Sequence, residues 1–330
     1  MSIRVLVTGA GALLGQGILR SLRRSNRDYY VIGVDPSPLS AGLYWADKRY
    51  LVPMATDENY LTEVEKVIVK ERPDVLLIGT DVELLIFAEQ RERLEADHKM
   101  HVVVSNPNVV AIADDKFKTY EFLKEHQFPY PKSALADGAH ALVETIGFPI
   151  VAKPRVGARS VGVHLIHNTK ELEHSIATTK DFVFQELAGP EDREYTAGVI
   201  CFDGRCLASV VMRRDLRDGN TYRAFVDPSP ELNEQIQKMG AALNPYGPAN
   251  FQFRTDAAGI PRVFEVNGRF SGTTPLRALA GFDEVEMCIR YLVHGEPIVQ
   301  PEVANKIFLR HWSETEISQK ELDGPWGSTD

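Results

Sequence analysis

Two short segments late in this sequence carry side chains that could hold a metal ion and steer a phosphoryl group. Asn250-Phe251-Gln252-Phe253-Arg254 and Arg262-Val263-Phe264-Glu265-Val266-Asn267 alternate polar and apolar residues around Asp256-Ala257-Ala258-Gly259, a turn composition. A hairpin symmetric about Ala258 and Gly259 pairs Gln252 with Glu265 and puts Asn267 on the same face. Phe251, Phe253, Phe264 and Val266 then fall on the opposite face. Gln252, Glu265 and Asn267 offer three hard oxygen donors with a single formal charge. That set suits Mg²⁺ sharing its shell with nucleotide phosphates and water. Arg269, two residues further on, could contact a transferred phosphoryl group. An ordinary surface hairpin would carry lysine, threonine or glutamate there instead. The nine histidines are scattered and the three cysteines match no zinc spacing, so no imidazole or thiolate site is evident.

Upstream lie two candidate phosphate-binding lysines. Lys116 follows Asp115 at the start of a charged amphipathic helix. Lys153 ends the strand Phe148–Lys153 and enters Pro154-Arg155-Val156-Gly157-Ala158-Arg159-Ser160-Val161-Gly162. A loop with Gly157, Ser160, Val161 and Gly162 between strands can turn backbone N–H groups toward phosphate oxygens. Each lysine alone reads as a solvated surface residue; the loop gives them a common purpose. Phe182 to Leu187 is an apolar strand ending in Gln185-Glu186-Leu187, whose backbone edge could read adenine, and Glu194 could accept from ribose hydroxyls. A plain hairpin with exposed acids is the competing reading of that stretch.

A different chemistry is suggested at the N-terminus. Thr8-Gly9-Ala10-Gly11-Ala12-Leu13-Leu14-Gly15 joins a strand to a helix, and Asp35 ends the next strand. That is where a dinucleotide-binding fold places the acid contacting ribose, so a short-chain dehydrogenase or epimerase is a rival. The spacing is Gly-x-Gly-x-x-x-Gly, however; of the two Tyr-x-x-x-Lys matches, Tyr120/Lys124 has no obvious serine partner upstream and Tyr44/Lys48 lies in a connecting loop. The bland alternative is a tight strand-to-helix turn.

The order of Lys116, Lys153 with its glycine loop, Gln185-Glu186-Leu187, Glu194 and Gln252/Glu265/Asn267/Arg269 resembles the ATP-grasp superfamily. It is most similar to the carboxylate–amine ligase and carbamoyl phosphate synthetase large-subunit branch. The resemblance implies ATP and Mg²⁺ as cofactors. Lys116 and Lys153 would contact phosphates, the loop would cover the nucleotide, and Glu265 and Asn267 would bind magnesium. Gln252 stands where many members carry an acid, which lowers the charge of the site. Lys153, Arg269 and Arg213 would then serve transfer of the γ-phosphoryl group to a carboxylate. A small-molecule amine would attack the acyl phosphate, releasing ADP and phosphate. Arg213, Arg223, Arg269 and Ser271-Gly272-Thr273 would line the substrate pocket, and the arginines suggest an anionic substrate. A catalytically silent nucleotide sensor of the same fold is a further alternative. The chain is expected to act as a homodimer or with a partner that supplies the nucleophile.

Elements of two kinds must position these residues. Up to about residue 112, strand and helix patterns alternate, predicting a parallel α/β domain. Residues 113–187 read as a linker helix, Asp114 to His126, and a lid. Residues 188–330 read as an antiparallel α+β subdomain carrying the Mg-ATP site. At 330 residues two or three packed units are expected. A net charge of −9 argues against nonspecific nucleic-acid binding. No apolar run approaches the roughly 20 residues that cross a bilayer. Neither signal peptide nor disulfide framework is evident, since Cys201, Cys206 and Cys288 read as free thiols. A cytoplasmic protein with no membrane partner is the expectation.

Overall fold

In the computed structural model, which describes residues 2–157, 160–226 and 229–327, three sheets succeed one another along the chain. Strands β1 (Ile3–Val7), β2 (Tyr29–Asp35), β3 (Lys48–Leu51), β4 (Val75–Leu77) and β5 (His101–Val103) form a parallel sheet in the order β3-β2-β1-β4-β5. Its strands are apolar on both faces because both are covered. Val5 and Val7 pack with Ile18 and Leu22 on one side, while Leu6, Ile32 and Leu76 pack with Val64 and Phe87 on the other. Strand β3 follows the 3-10 turn Ala41–Trp45. It is a four-residue edge strand carrying Lys48 and Arg49, and only Tyr50 within it is buried.

The second sheet consists of β6 (Ser133–Ala134), β7 (Ile150–Pro154), β8 (His164–Ile166) and β9 (Phe182–Glu186), ordered β6-β9-β7-β8 with antiparallel neighbours. The helices Ala139–Ile146 and Thr169–Thr178 close over it through Leu142, Leu172, Ile150 and Phe184.

The third sheet holds β10 (Glu194–Phe202), β11 (Arg205–Arg217), β12 (Asn220–Phe225), β13 (Gly247–Thr255), β14 (Pro261–Asn267) and β15 (Ile307–Leu309). Its order is β14-β13-β10-β11-β12-β15, again antiparallel. One face packs on the helix Pro230–Leu243 through Leu232, Ile236 and Met239. The other face shares a core with the parallel domain, joining Ile200, Val210 and Met212 to Ile18 and Leu276.

The expected helix from Asp114 to His126 is present as Lys116–Glu125, and a further helix, Pro107–Asp114, precedes it. Asp115 separates them with extended backbone. Its carboxylate caps the second helix at Phe117 N–H (2.9 Å) and pairs with Arg155. The pair also packs on the third sheet, where Val109, Phe122 and Leu123 meet Phe251 and Val263, rather than on the second. Among the described residues no helix is long and apolar enough to cross a membrane. Cys201, Cys206 and Cys288 are free thiols.

Candidate active site

The β13–β14 hairpin pairs Gln252 with Glu265 and Asn250 with Asn267, as symmetry about the turn requires. Nearer the turn the register slips: Phe253 faces Val263 and Arg254 faces Arg262, leaving Phe264 as the extra residue of a β-bulge. A bulge interrupts strict alternation and re-aims a side chain. Phe251, Phe253 and Val266 stay in the core as expected, but Phe264 turns to the polar face. There its ring lies 5.2 Å from the Lys153 ammonium and lines a cavity. Sequence reasoning missed this residue because alternation assumes an unbroken strand.

That cavity, of about 530 Å³, lies between the second and third sheets. It gathers Lys116, Lys153, Gln185, Glu186, Leu187, Glu194, Gln252 and Glu265 from the sequence-derived set, together with Gly157, Ser160 and Val161 of the loop. Gly162 is not on its wall. It takes a φ of +77° and a Cβ there would lie 3.0 Å from Pro154, so its role is to turn the chain. Ala158 and Arg159 lie outside the described residues. Leu165, Leu216 and Phe264 add an apolar wall.

Lys153 is the chemical centre of this space. The strand β7 delivers it from below, and its ammonium donates to Gln185 Oε1 at 2.7 Å and to the Phe264 carbonyl at 3.1 Å. Ser133 Oγ accepts from Gln185 Nε2 at 2.8 Å, which fixes the amide so that its oxygen faces the lysine. Burial pulls the lysine down to about 7, Glu265 opposes that fall, and Lys116 adds to it. An anion in the cavity would favour the charged form. Lys116 reaches the loop itself, donating to the Gly157 carbonyl at 2.8 Å.

Strand β9 is central in its sheet, so it offers no free edge as far as Glu186. The Glu186 N–H donates to the Lys132 carbonyl at 2.8 Å, and its carboxylate accepts from Lys132 N–H at 2.9 Å. The backbone free of sheet pairing begins just beyond the strand, at Leu187 to Gly189, which lines the cavity. Glu194 is buried and already paired. Arg214 donates to its Oε1 at 2.8 Å and Arg254 to its Oε2 at 2.9 Å.

The three expected metal donors are adjacent but not equivalent. Gln252 and Asn267 both donate amide N–H groups to Glu265 Oε1, at 3.0 and 3.2 Å. Gln252 Oε1 in turn accepts from Arg214 at 2.6 Å, so it faces a guanidinium and is a poor place for a cation. Asn267 Oδ1 accepts from Arg269 at 2.9 Å. Among the described residues no cluster of three acidic, histidine or cysteine ligands occurs. Of the three expected donors only Glu265 has no guanidinium on its oxygens, so the set fits a hard cation held chiefly by Glu265 and completed by phosphate oxygens, which Gln252 and Asn267 would join by turning their amides away from Arg214 and Arg269.

Strand parity separates Arg213 from Arg214. Arg214 lines the cavity, whereas Arg213 lies on the other face, stacked 3.8 Å from the Phe225 ring and bonded to Asp215 at 2.8 Å. Arg223 joins Asp215 on that same face and is half-exposed. Neither Arg213 nor Arg223 lines the cavity, whereas Arg214 does. Arg269 is close to the site and also pairs with Asp81 of the parallel domain at 2.6 Å. Ser271 and Thr273 are buried and spend their hydroxyls on each other (2.6 Å). The Gly272 carbonyl accepts from Arg310. This segment opens the helix Thr274–Ala280 and presents no free hydroxyl to a substrate.

The N-terminal glycine turn is filled by the protein itself. A Cβ at Gly9 would sit 2.3 Å from Thr80 and one at Gly11 would sit 2.2 Å from Ser40. Asp35 accepts from Gly11 N–H at 2.8 Å, Ser37 N–H at 3.0 Å and Ser40 Oγ at 2.6 Å. The acid that a dinucleotide would need for ribose thus ties down the turn, and the packing reading of these glycines prevails.

Comparisons with known proteins agree with this architecture. A model described as PylC-like, N-terminal domain matches residues 5–103, a RimK-like ATP-grasp domain matches 113–239, and ATP-grasp in the biosynthetic pathway with Ter operon matches 180–315. Curated relatives include carbamoyl phosphate synthase large chains. The one from Methanosarcina barkeri is 25% identical over 304 residues, covering 82% of this chain and 28% of that one. The one from Clostridium botulinum (strain Kyoto) is 25% identical over 307 residues, covering 82% and 27%. The chain thus spans little more than a quarter of these relatives' length. Among solved structures, N5-carboxyaminoimidazole synthetase from Staphylococcus aureus complexed with ADP superposes with a TM-score of 0.71 at 19% identity, over 92% of this chain and 81% of that one. The biotin carboxylase domain of Hydrogenobacter thermophilus 2-oxoglutarate carboxylase, in complex with MgADP, ADP and bicarbonate, gives 0.71 at 16%, over 91% and 72%. The structural likenesses concern the fold alone. Two ATP-grasp models tile residues 113 to 315 behind a matched N-terminal domain, and the chain belongs to the ATP-grasp superfamily.

Proposed function

We propose that this protein is an ATP-dependent ligase that activates a small-molecule carboxylate by phosphorylation and passes the acyl group to an amine. The observation that carries the reading is the convergence, in one cavity, of buried Lys153 from the second sheet, buried Lys116 from the helix Lys116–Glu125, and Glu265 and the Phe264 ring from the third sheet. An adenine would lie against Phe264 and Leu216 and be read by the backbone after Glu186. Its phosphates would run toward Lys153 and Lys116. Glu265 and Asn267 would hold Mg²⁺, which when bound supplies neutralising charge to the phosphate oxygens.

Lys153, poised near neutrality, takes up its full charge beside the phosphates and stabilises the transferring group. Arg269, held by Asn267 and Asp81, orients the acceptor carboxylate at the junction with the parallel domain. Catalysis of this kind is positioning and electrostatics rather than covalent chemistry by the protein. The loop carrying Gly157 and Ser160 excludes water from the acyl phosphate. Attack by the amine then forms the C–N bond and frees phosphate. Three free thiols suit a cytoplasmic setting.

Calorimetric titration of ATP with and without Mg²⁺ tests the reading. Wild type is expected to bind ATP more tightly with Mg²⁺, and Glu265→Gln to lose that gain. ATP affinity indifferent to both metal and substitution would reject the assigned site. Phe264→Ala removes the stacking wall. ADP affinity should fall about 10-fold, the scale of one lost base–aromatic stack. An unchanged value would place the base elsewhere.

A further inference from the structure

A second cavity, of about 490 Å³, shares no lining residue with the first. It lies between the helix Leu13–Arg24, the helix Thr274–Ala280 and the segment after β15. Arg20, Arg23, Arg24 and Arg310 all border it, with His311 and Trp45. Arg20, Arg23 and Arg24 stand three and four residues apart on one helix face, where like charges repel. The helix C-terminus offsets part of that repulsion for Arg23 and Arg24. It does nothing for Arg310, which arrives from a different element and faces them.

Among the described residues, the charges in this cleft lack the carboxylate partners that most other arginines of the chain have. Arg27, just beyond the same helix, pairs with Glu286 and Glu296. Arg20, Arg23, Arg24 and Arg310 form no ion pair with any carboxylate among the described residues, although Glu314 stands on the rim. Among the described residues the Arg310 guanidinium donates to the Gly272 carbonyl alone, and burial together with the Arg20 charge lowers its proton affinity. Arg20 lies 5.3 Å from the Trp45 ring, whose indole N–H is anchored on Thr315 at 3.0 Å. A chain of net charge −9 has acids in abundance, yet four guanidinium groups here face an open volume.

We propose that this cleft is an anion-binding site, separate from the nucleotide cavity, for a small molecule bearing two or more negative charges, as a phosphate ester or a polycarboxylate does. Guanidinium forks match both groups bidentately, and the separation of Arg310 from the helix lets two anionic groups be held at once. The proposal stands independently of the nucleotide assignment, because no residue is common to the two sites.

Pyrophosphate and citrate, titrated separately into the full chain, test it and distinguish the two ligand classes. Wild type should bind at least one of them, more weakly as salt is raised. Arg20→Gln/Arg24→Gln should weaken that binding at least 10-fold while leaving MgATP affinity unchanged. Arg24 is exposed at a helix end, so the single variant Arg24→Gln serves if the pair does not fold. Arg217→Gln, on an exposed arginine elsewhere, should have no effect. Failure of wild type to bind either anion would overturn the proposal. So would equal binding by the Arg20/Arg24 variant, since the anion would then occupy the nucleotide cavity.

Discussion

Replacing Lys153 by Met is expected to stabilise the free protein while reducing ADP release roughly 10²–10³-fold, the usual cost of removing one preorganised electrostatic contact. The two effects have the same origin. An ammonium buried beside Phe264 with only Gln185 and one carbonyl as acceptors is held at a cost, and its fall to about 7 measures that cost. The unfolded lysine keeps its proton to about pH 10.4. Between about pH 7 and 10 the unfolded state therefore binds more protons than the folded one, and wild-type stability rises with pH. Below about pH 7 the full penalty, on the order of 4 kcal/mol, is present in wild type and absent from Lys153→Met. Loss of the partner for Gln185 returns roughly 1–3 kcal/mol.

Thermal melts at pH 6 and pH 9.5 decide this prediction. The variant should melt higher at pH 6, and the gap should narrow or reverse at pH 9.5. Parallel curves would mean that the lysine stays charged when the site is empty. Nucleotide binding should restore the charge, so ATP binding at pH 8 should take up close to one proton. Calorimetry in buffers of different ionisation enthalpy reads that uptake directly.

Arg277→Met should lower stability by about 3–5 kcal/mol, the cost of leaving half of a buried ion pair behind. Arg277 and Glu284 are both fully buried and meet at 3.1 Å, and Thr274 also donates to Glu284. The same guanidinium donates to Asn250 and to Thr196 of the third sheet. Gly198 leaves room for it, since a Cβ there would lie 2.6 Å from the guanidinium. Arg277 thus locks the helices 274–294 beneath the strand whose Asn250 pairs with Asn267. Its loss should lower the melting temperature by about 4–7 °C. The double variant Arg277→Met/Glu284→Leu should recover part of that loss, because no uncompensated charge remains. A double variant as unstable as the single would mean that the hydrogen bonds to Asn250 and Thr196, rather than the charge, dominate.

Local pattern alone determined much of this protein. Period-2 and period-3.6 hydrophobicity marked the parallel sheet, and the turn at Asp256–Gly259 brought Gln252 opposite Glu265. Those features depend on neighbours within a few residues, so the chain writes them openly. Tertiary structure decided which of the marked residues can act. A bulge turned Phe264 into the cavity, parity chose Arg214 over Arg213, and Arg214 and Arg254 engaged Glu194. Asp35 went to the glycine turn instead of a cofactor, because Ser40 and the Gly11 amide reached it across a fold that no local window contains. The arginine cleft likewise unites residues 20–24 with residue 310, far apart in sequence. Side-chain identity and spacing set what each residue offers; long-range packing and the competition for hydrogen-bond partners set what remains free to bind.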